Sequence, residues 1–169
     1  MKLIQKKICL LGDFAVGKTS LVRRYVEGRF DDKYLSTIGV KISNRQLNRE
    51  NYQLNLIIWD LAGGETFSGY DKNYLRGAAG ALLVFDLTRL DTLRILSDYV
   101  NQMCEINPDA SMMVAAHKFD LVHQNIPDTS ELESFCQNIN GQYLFTSAKT
   151  GENVDEIINL LADHIMAEE

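Results

Sequence analysis

Gly12, Gly17, Lys18 and Thr19 stand in the spacing GxxxxGK[ST], with Asp13, Phe14, Ala15 and Val16 between the glycines and Ser20 after. The apolar run Ile8–Leu11 precedes this loop, and a helix-like run, Thr19 to Val26, follows it. A turn between a strand and a helix gathers backbone N–H groups into a nest at a positive helix end, which suits a polyanion. In that pattern the lysine reaches the β- and γ-phosphates and the threonine hydroxyl serves Mg²⁺. The candidate nucleotide-binding residues here are therefore Asp13, Phe14, Ala15, Val16, Gly17, Lys18, Thr19 and Ser20. The loop alone specifies a nucleoside triphosphate; a kinase, an ATPase and a GTPase all remain open.

Three later segments narrow the choice. Asp60-Leu61-Ala62-Gly63 ends another apolar run. Asp60 is placed to hold Mg²⁺ through water, and the N–H of Gly63 can meet a γ-phosphate with no side chain intervening; a P-loop site needs such a second acidic group. Lys118-Phe119-Asp120 follows Met112–Ala116. A carboxylate at Asp120 accepts the two N–H donors on one edge of guanine and is left unpaired by adenine, which is strong discrimination from one group. The Lys118 stem would lie over the base plane. Thr146-Ser147-Ala148-Lys149 follows the last strand-like run; Ser147 would orient Asp120, and the Ala148 N–H would bond the guanine carbonyl. Each segment alone also reads as an ordinary polar turn. Their order, each at the end of an apolar run, is what makes them specific.

The elements that must position these loops are legible too. Ile8–Leu11, Leu54–Trp59, Ala81–Phe85, Met112–Ala116 and Tyr143–Phe145 are mostly continuous apolar runs, as in parallel strands buried on both faces. Leu93, Leu96, Val100 and Met103 share one helical face. Ser130 with Glu133 has capping-box spacing, and Val154 to Ile165 carries an apolar stripe with Asn153 as its N-cap. Val40 to Trp59 reads as two strands about a polar turn, Asn48–Asn51. The expectation is a doubly wound α/β fold with one antiparallel edge strand, a single domain over 1–169, and ligands beyond the carboxyl ends of the strands. With 17 basic and 23 acidic residues the net charge is -6, which argues against nucleic acid. No apolar run approaches the ~18 residues of a spanning helix. Three scattered cysteines, Cys9, Cys104 and Cys136, form no disulfide or metal spacing. They fit a reduced, cytoplasmic setting.

These motifs make the chain resemble a small GTPase of the Ras superfamily, most of all its Rab branch. Gly12–Thr19, Tyr34–Val40, Leu56–Gly63, Tyr74-Leu75-Arg76-Gly77-Ala78 and Thr146–Lys149 carry the resemblance, which covers about Lys6 to Met166. It implies a P-loop NTPase G domain: a six-stranded mixed sheet in the order 2-3-1-4-5-6 and five helices. It also implies GTP/GDP and Mg²⁺ as ligands. Effector and regulatory proteins would dock on residues 31-42 and 61-76. Thr37 would sense the γ-phosphate and join Thr19 and Asp60 around the metal. Phe30 would meet the guanine edge, and Tyr34 would close over the phosphates. Lys18, Thr37 and Gly63 become the catalytic candidates.

Four departures alter what the resemblance implies. Gly64 stands where the family usually carries the glutamine that orients the attacking water. Phe14 replaces a small residue of the phosphate loop; its ring either obstructs an arginine finger or packs away as a lid. His117 replaces the asparagine before Lys118 and can make only part of that amide's bonds, which reads as a weaker tether. The chain ends Met166-Ala167-Glu168-Glu169, so no lipid anchor is visible in it; an unlipidated Rab-like chain also brings a prokaryotic source into consideration. Trp59 and Tyr74 are kept, but Lys41 and Ile42 replace the usual Asp-Phe pair. The first expectation is a GTP/GDP switch with slow hydrolysis, and its rival is a module that binds guanine nucleotide without turnover. A small-metabolite kinase is disfavoured, because no arginine-rich insertion is present to cover a transferred phosphate.

Overall fold

Alternate residues of the central strands belong to opposite faces of one sheet, and both faces are covered. The computed structural model describes residues 1–32, 39–63 and 69–169. Its strands are β1 (Lys2–Leu11), β2 (Val40–Asn48), β3 (Tyr52–Leu61), β4 (Ala78–Asp86), β5 (Ser111–His117) and β6 (Tyr143–Thr146). They form a six-stranded sheet in the order β2-β3-β1-β4-β5-β6. All neighbours are parallel except β2 and β3, which pair antiparallel from Val40↔Leu61 to Asn48↔Gln53. The expected order and the antiparallel edge are both present.

The period-2 rule sorts the core. Ile8, Leu10, Leu82, Val84, Met113 and Ala115 pack with helices α1 (Lys18–Glu27) and α5 (Val154–Ala167). Their neighbours Cys9, Leu11, Leu83, Phe85, Val114 and Ala116 pack on the other face. That face is covered by α2 (Asp91–Arg94), α3 (Leu96–Ile106) and α4 (Ser130–Asn138). Ile95 between α2 and α3 keeps helical angles, so these two run as one body and, among the described residues, the five helical segments make four helices. Edge strand β2 is mostly exposed or part-buried, its neighbour β3 alternates buried with part-buried residues, and every residue of β5 is buried.

Two predicted caps differ in detail. Helix α4 begins with Thr129 as N-cap, because the Asp128 carboxylate already takes both the N–H (2.9 Å) and the hydroxyl (2.7 Å) of Ser130. Glu133 meets Thr129 instead, whose hydroxyl donates to Oε1 at 3.2 Å. Asn153 does cap α5, but in a left-handed conformation; its side-chain amide donates to the Phe145 carbonyl at 2.9 Å and so ties the helix to β6.

The chain leaves β1 toward β3 on one side and reaches β4 on the other, and this reversal opens a crevice above the carboxyl end of β1. Close approach of α5 to β4 depends on Gly80. A Cβ there would lie 2.8 Å from Ile165 Cδ1 and 2.9 Å from the Ser111 carbonyl oxygen. Gly80→Val is expected to destabilise the fold by about 1–3 kcal/mol through overpacking, measured as a lower denaturant midpoint at unchanged slope.

Candidate nucleotide site

The loop from Gly12 to Gly17 turns through two left-handed residues, Ala15 (φ 60) and Gly17 (φ 105). Ala15 adopts that conformation at a cost of roughly 1–2 kcal/mol, so the surroundings must hold it. The loop is pressed against three neighbours. A Cβ at Gly12 would sit 2.2 Å from the Val84 carbonyl oxygen, and one at Gly63 2.2 Å from that of Gly12. One at Gly17 would meet the His117 ring at 2.6 Å. No side chain fits at these points, which is why glycine stands there.

Lys18 begins α1 and is buried; its ammonium donates to the carbonyls of Gly12 (2.8 Å) and Asp13 (3.0 Å). Burial lowers its pKa to about 8, with Asp60 and Asp13 acting in the opposite direction. The Thr19 hydroxyl donates to Asp60 Oδ2 at 2.6 Å. In that bond the Thr19 oxygen is the donor and Asp60 the acceptor. The oxygen donors of Thr19 and Asp60 are hard ligands of the kind Mg²⁺ takes, so the residues present fit the ion. Asp13 Oδ1 accepts the Phe14 N–H at 2.8 Å, and the Phe14 ring is 57% exposed.

Across the crevice, Ser147 is fully buried and donates to Asp120 Oδ1 at 2.7 Å while accepting the Thr150 N–H at 3.1 Å. With donor and acceptor both engaged, it fixes the Asp120 carboxylate as expected. His117 is buried at the end of β5, its Nδ1 2.8 Å from the Thr146 hydroxyl. Burial lowers its pKa to about 4, helped by the Lys118 charge. It is a neutral ring whose hydrogen bond runs along the sheet to β6 rather than to the phosphate loop. Lys118 is left-handed (φ 65) and reaches back to the Ala15 carbonyl at 3.0 Å. Arg24 of α1 donates to the carbonyls of Ala148 (2.7 Å) and Lys149 (2.6 Å), which binds the last loop to the helix of the first.

One cavity of about 370 Å³ joins these two halves, a volume in the range of small-molecule sites. Phe14 to Ser20 line its phosphate side, with Gly63 against that loop; Phe30, His117, Lys118, Asp120, Ala148 and Lys149 line the other. Asp13, Asp60 and Ser147 stand behind the wall, acting through Lys18, Thr19 and Asp120. Tyr34, Thr37 and Gly64 lie outside the described residues. Sequence reasoning did not single out Leu121, which lines the cavity, or the buried Asp86, whose Oδ2 lies 2.9 Å from Lys118 Nζ. Asp86 ends an apolar strand just as Asp60 does, and that position was the available signal.

The model of the Ras family matches residues 7–167. The chain belongs to the Ras family. This Ras-family chain is also 33% identical over 152 residues to the Ras-related protein Rab-21 of Canis lupus familiaris, Homo sapiens and Mus musculus, a match covering 89% of the chain and 68% of those proteins. It is a Rab-like small GTPase by descent, and Ras and Rab proteins bind GTP and GDP. Among the described residues no helix is long and apolar enough to cross a membrane.

Two titrations test the electrostatics. An anion over Lys18 raises its pKa, so GDP binding at pH 8.5 is expected to take up protons, read by calorimetry in buffers of different ionisation enthalpy; no uptake would mean that Lys18 is not the phosphate contact. His117 is held down near 4 in the fold and returns to about 6.5 when unfolded. The unfolded chain therefore binds the extra proton, and stability falls as pH drops from about 6.5 to 4. His117→Asn should lose less stability over that window than the parent, measured by thermal midpoints.

Proposed function

We propose that this chain is a Rab-like guanine-nucleotide switch whose own GTP hydrolysis is slow. The observation that carries the reading is the pairing, across one cavity, of buried Lys18 with the Ser147-oriented carboxylate of Asp120. In this reading Lys18 and the loop amides take the phosphates, and the Gly63 N–H meets the γ-phosphate. Asp120 and the Ala148 N–H read guanine, while Phe30, Lys118 and Lys149 flank the base. Thr19 and Asp60, with Thr37 on sequence grounds, would hold Mg²⁺, which when bound neutralises charge on the β- and γ-phosphates. Effectors and regulators would use residues 31-42 and 61-76. Within these ranges Ile42 is exposed and Tyr74 lies 6.0 Å from the neighbouring Trp59, whose ring Lys7 covers at 3.6 Å. A cytoplasmic setting belongs to the same proposal and is supported by the free thiols of Cys9, Cys104 and Cys136.

Slow turnover follows from what stands near the γ-phosphate. Gly64 carries no group to orient water, and the exposed Phe14 ring would either obstruct an external arginine or pack away as a lid. The same two residues favour the second reading, a module that holds guanine nucleotide without hydrolysis. Nucleotide extracted from purified protein is expected to be GTP or GDP; ATP or none would refute the guanine reading. Asp120→Asn should lose GTP and gain xanthosine triphosphate. In a single-turnover assay the intrinsic rate is expected at or below the order of 10⁻⁴ to 10⁻³ per second. If Phe14 and Gly64 share one space, Gly64→Gln alone leaves the rate low. Only its combination with Phe14→Gly then raises it, a non-additive pair; a rate above about 10⁻² per second in the parent overturns the proposal.

A further inference from the structure

Behind the cavity, Asp86 collects two cations that both act on the phosphate loop. It is 1% exposed, and its Oδ1 accepts the N–H (2.8 Å) and hydroxyl (2.6 Å) of Thr88. Burial pushes its pKa up, but the bonds from Thr88 and Lys118 outweigh this and hold the carboxyl below its usual range. Oδ2 faces Lys118 Nζ at 2.9 Å and Arg89 Nε at 3.3 Å. Lys118 carries on to the Ala15 carbonyl, and Arg89 Nη2 donates to the Phe14 carbonyl at 2.9 Å. Two consecutive carbonyls of the strained turn are thus held from one buried carboxylate. The Arg89 main chain is fixed as well: its N–H bonds the Asp86 carbonyl (2.9 Å), and its carbonyl accepts the buried Thr92 hydroxyl (2.6 Å). A guanidinium does this with two donors, Nε and Nη2, held in one rigid planar fork; an ammonium concentrates its donors at one point on a flexible stem.

We propose that Arg89 is a positioning residue of the phosphate loop, anchored by Asp86 and setting how firmly the loop grips the β-phosphate. The inference rests on the guanine-nucleotide reading above. Arg89 lies outside the cavity wall, so its effect is transmitted through the carbonyl of Phe14. By fixing that carbonyl, it keeps the adjoining amides turned toward the crevice.

The phosphate dependence supplies the test. GDP presents a β-phosphate to the turn and to Lys18, whereas GMP does not. In Arg89→Met, which keeps an unbranched apolar stem and loses the guanidinium, release of a fluorescent GDP is expected to quicken at least tenfold, while GMP affinity stays within about twofold of the parent. Arg89→Lys should fall between the two proteins. GDP release unchanged in Arg89→Met, or GDP and GMP affinities falling by the same factor, would overturn the inference, the second outcome marking a general loss of structure. If the unaltered protein binds no GDP, the guanine reading itself fails and the inference with it.

Discussion

Three strand ends must meet at a point where no side chain fits. The carboxyl ends of β1, β3 and β4 converge so closely that Gly12 lies against the Val84 carbonyl and Gly63 against that of Gly12. This contact fixes the height of the phosphate loop above the sheet. It also fixes the distance from Lys18 to Asp60 and Thr19, and the line along which α1 leaves the sheet. A methyl group at either glycine would have to move backbone, not a flexible side-chain end, and backbone here is shared by three strands. The packing of the two apolar faces supplies the rigidity that makes such a contact sustainable.

Around that point the charges are arranged to be expensive when empty and favourable when paired. Burial lowers the Lys18 pKa to about 8 despite the Asp60 and Asp13 charges and two carbonyl partners, and a polyanion relieves it. His117 does the opposite. Its buried ring remains neutral, so it contributes shape and one bond to Thr146 without competing for the anion. A neutral imidazole at this place fills the volume beside Gly17 and bonds β6.

Most of the fold was readable because buried parallel strands leave continuous apolar runs and each functional loop begins where such a run stops. Lys18, Asp60 and Asp120 were found that way. The cap at Ser130 was misplaced because Asp128, Thr129 and Ser130 offer two overlapping capping phases, and local spacing does not say which carboxylate wins. Arg24 and Arg89 were invisible for another reason. Their partners, Ala148, Lys149 and Phe14, are main-chain carbonyls 124, 125 and 75 positions away, and a carbonyl has no sequence signature. Asp86 looked like any aspartate of a turn until β4 ended beneath the phosphate loop.

The clamp of Arg24 has a mechanical consequence. One side chain of α1 holds two carbonyls of the loop after β6, while the first residues of the same helix face the phosphate side. The two walls of the crevice are therefore tied to each other through one helix, so that parting them would break both bonds. The loop after β6 and the start of α1 thus present one continuous rear wall. A molecule entering such a crevice meets a rear wall whose two sides are already tied to each other, so its fit there needs no closure of one side upon the other.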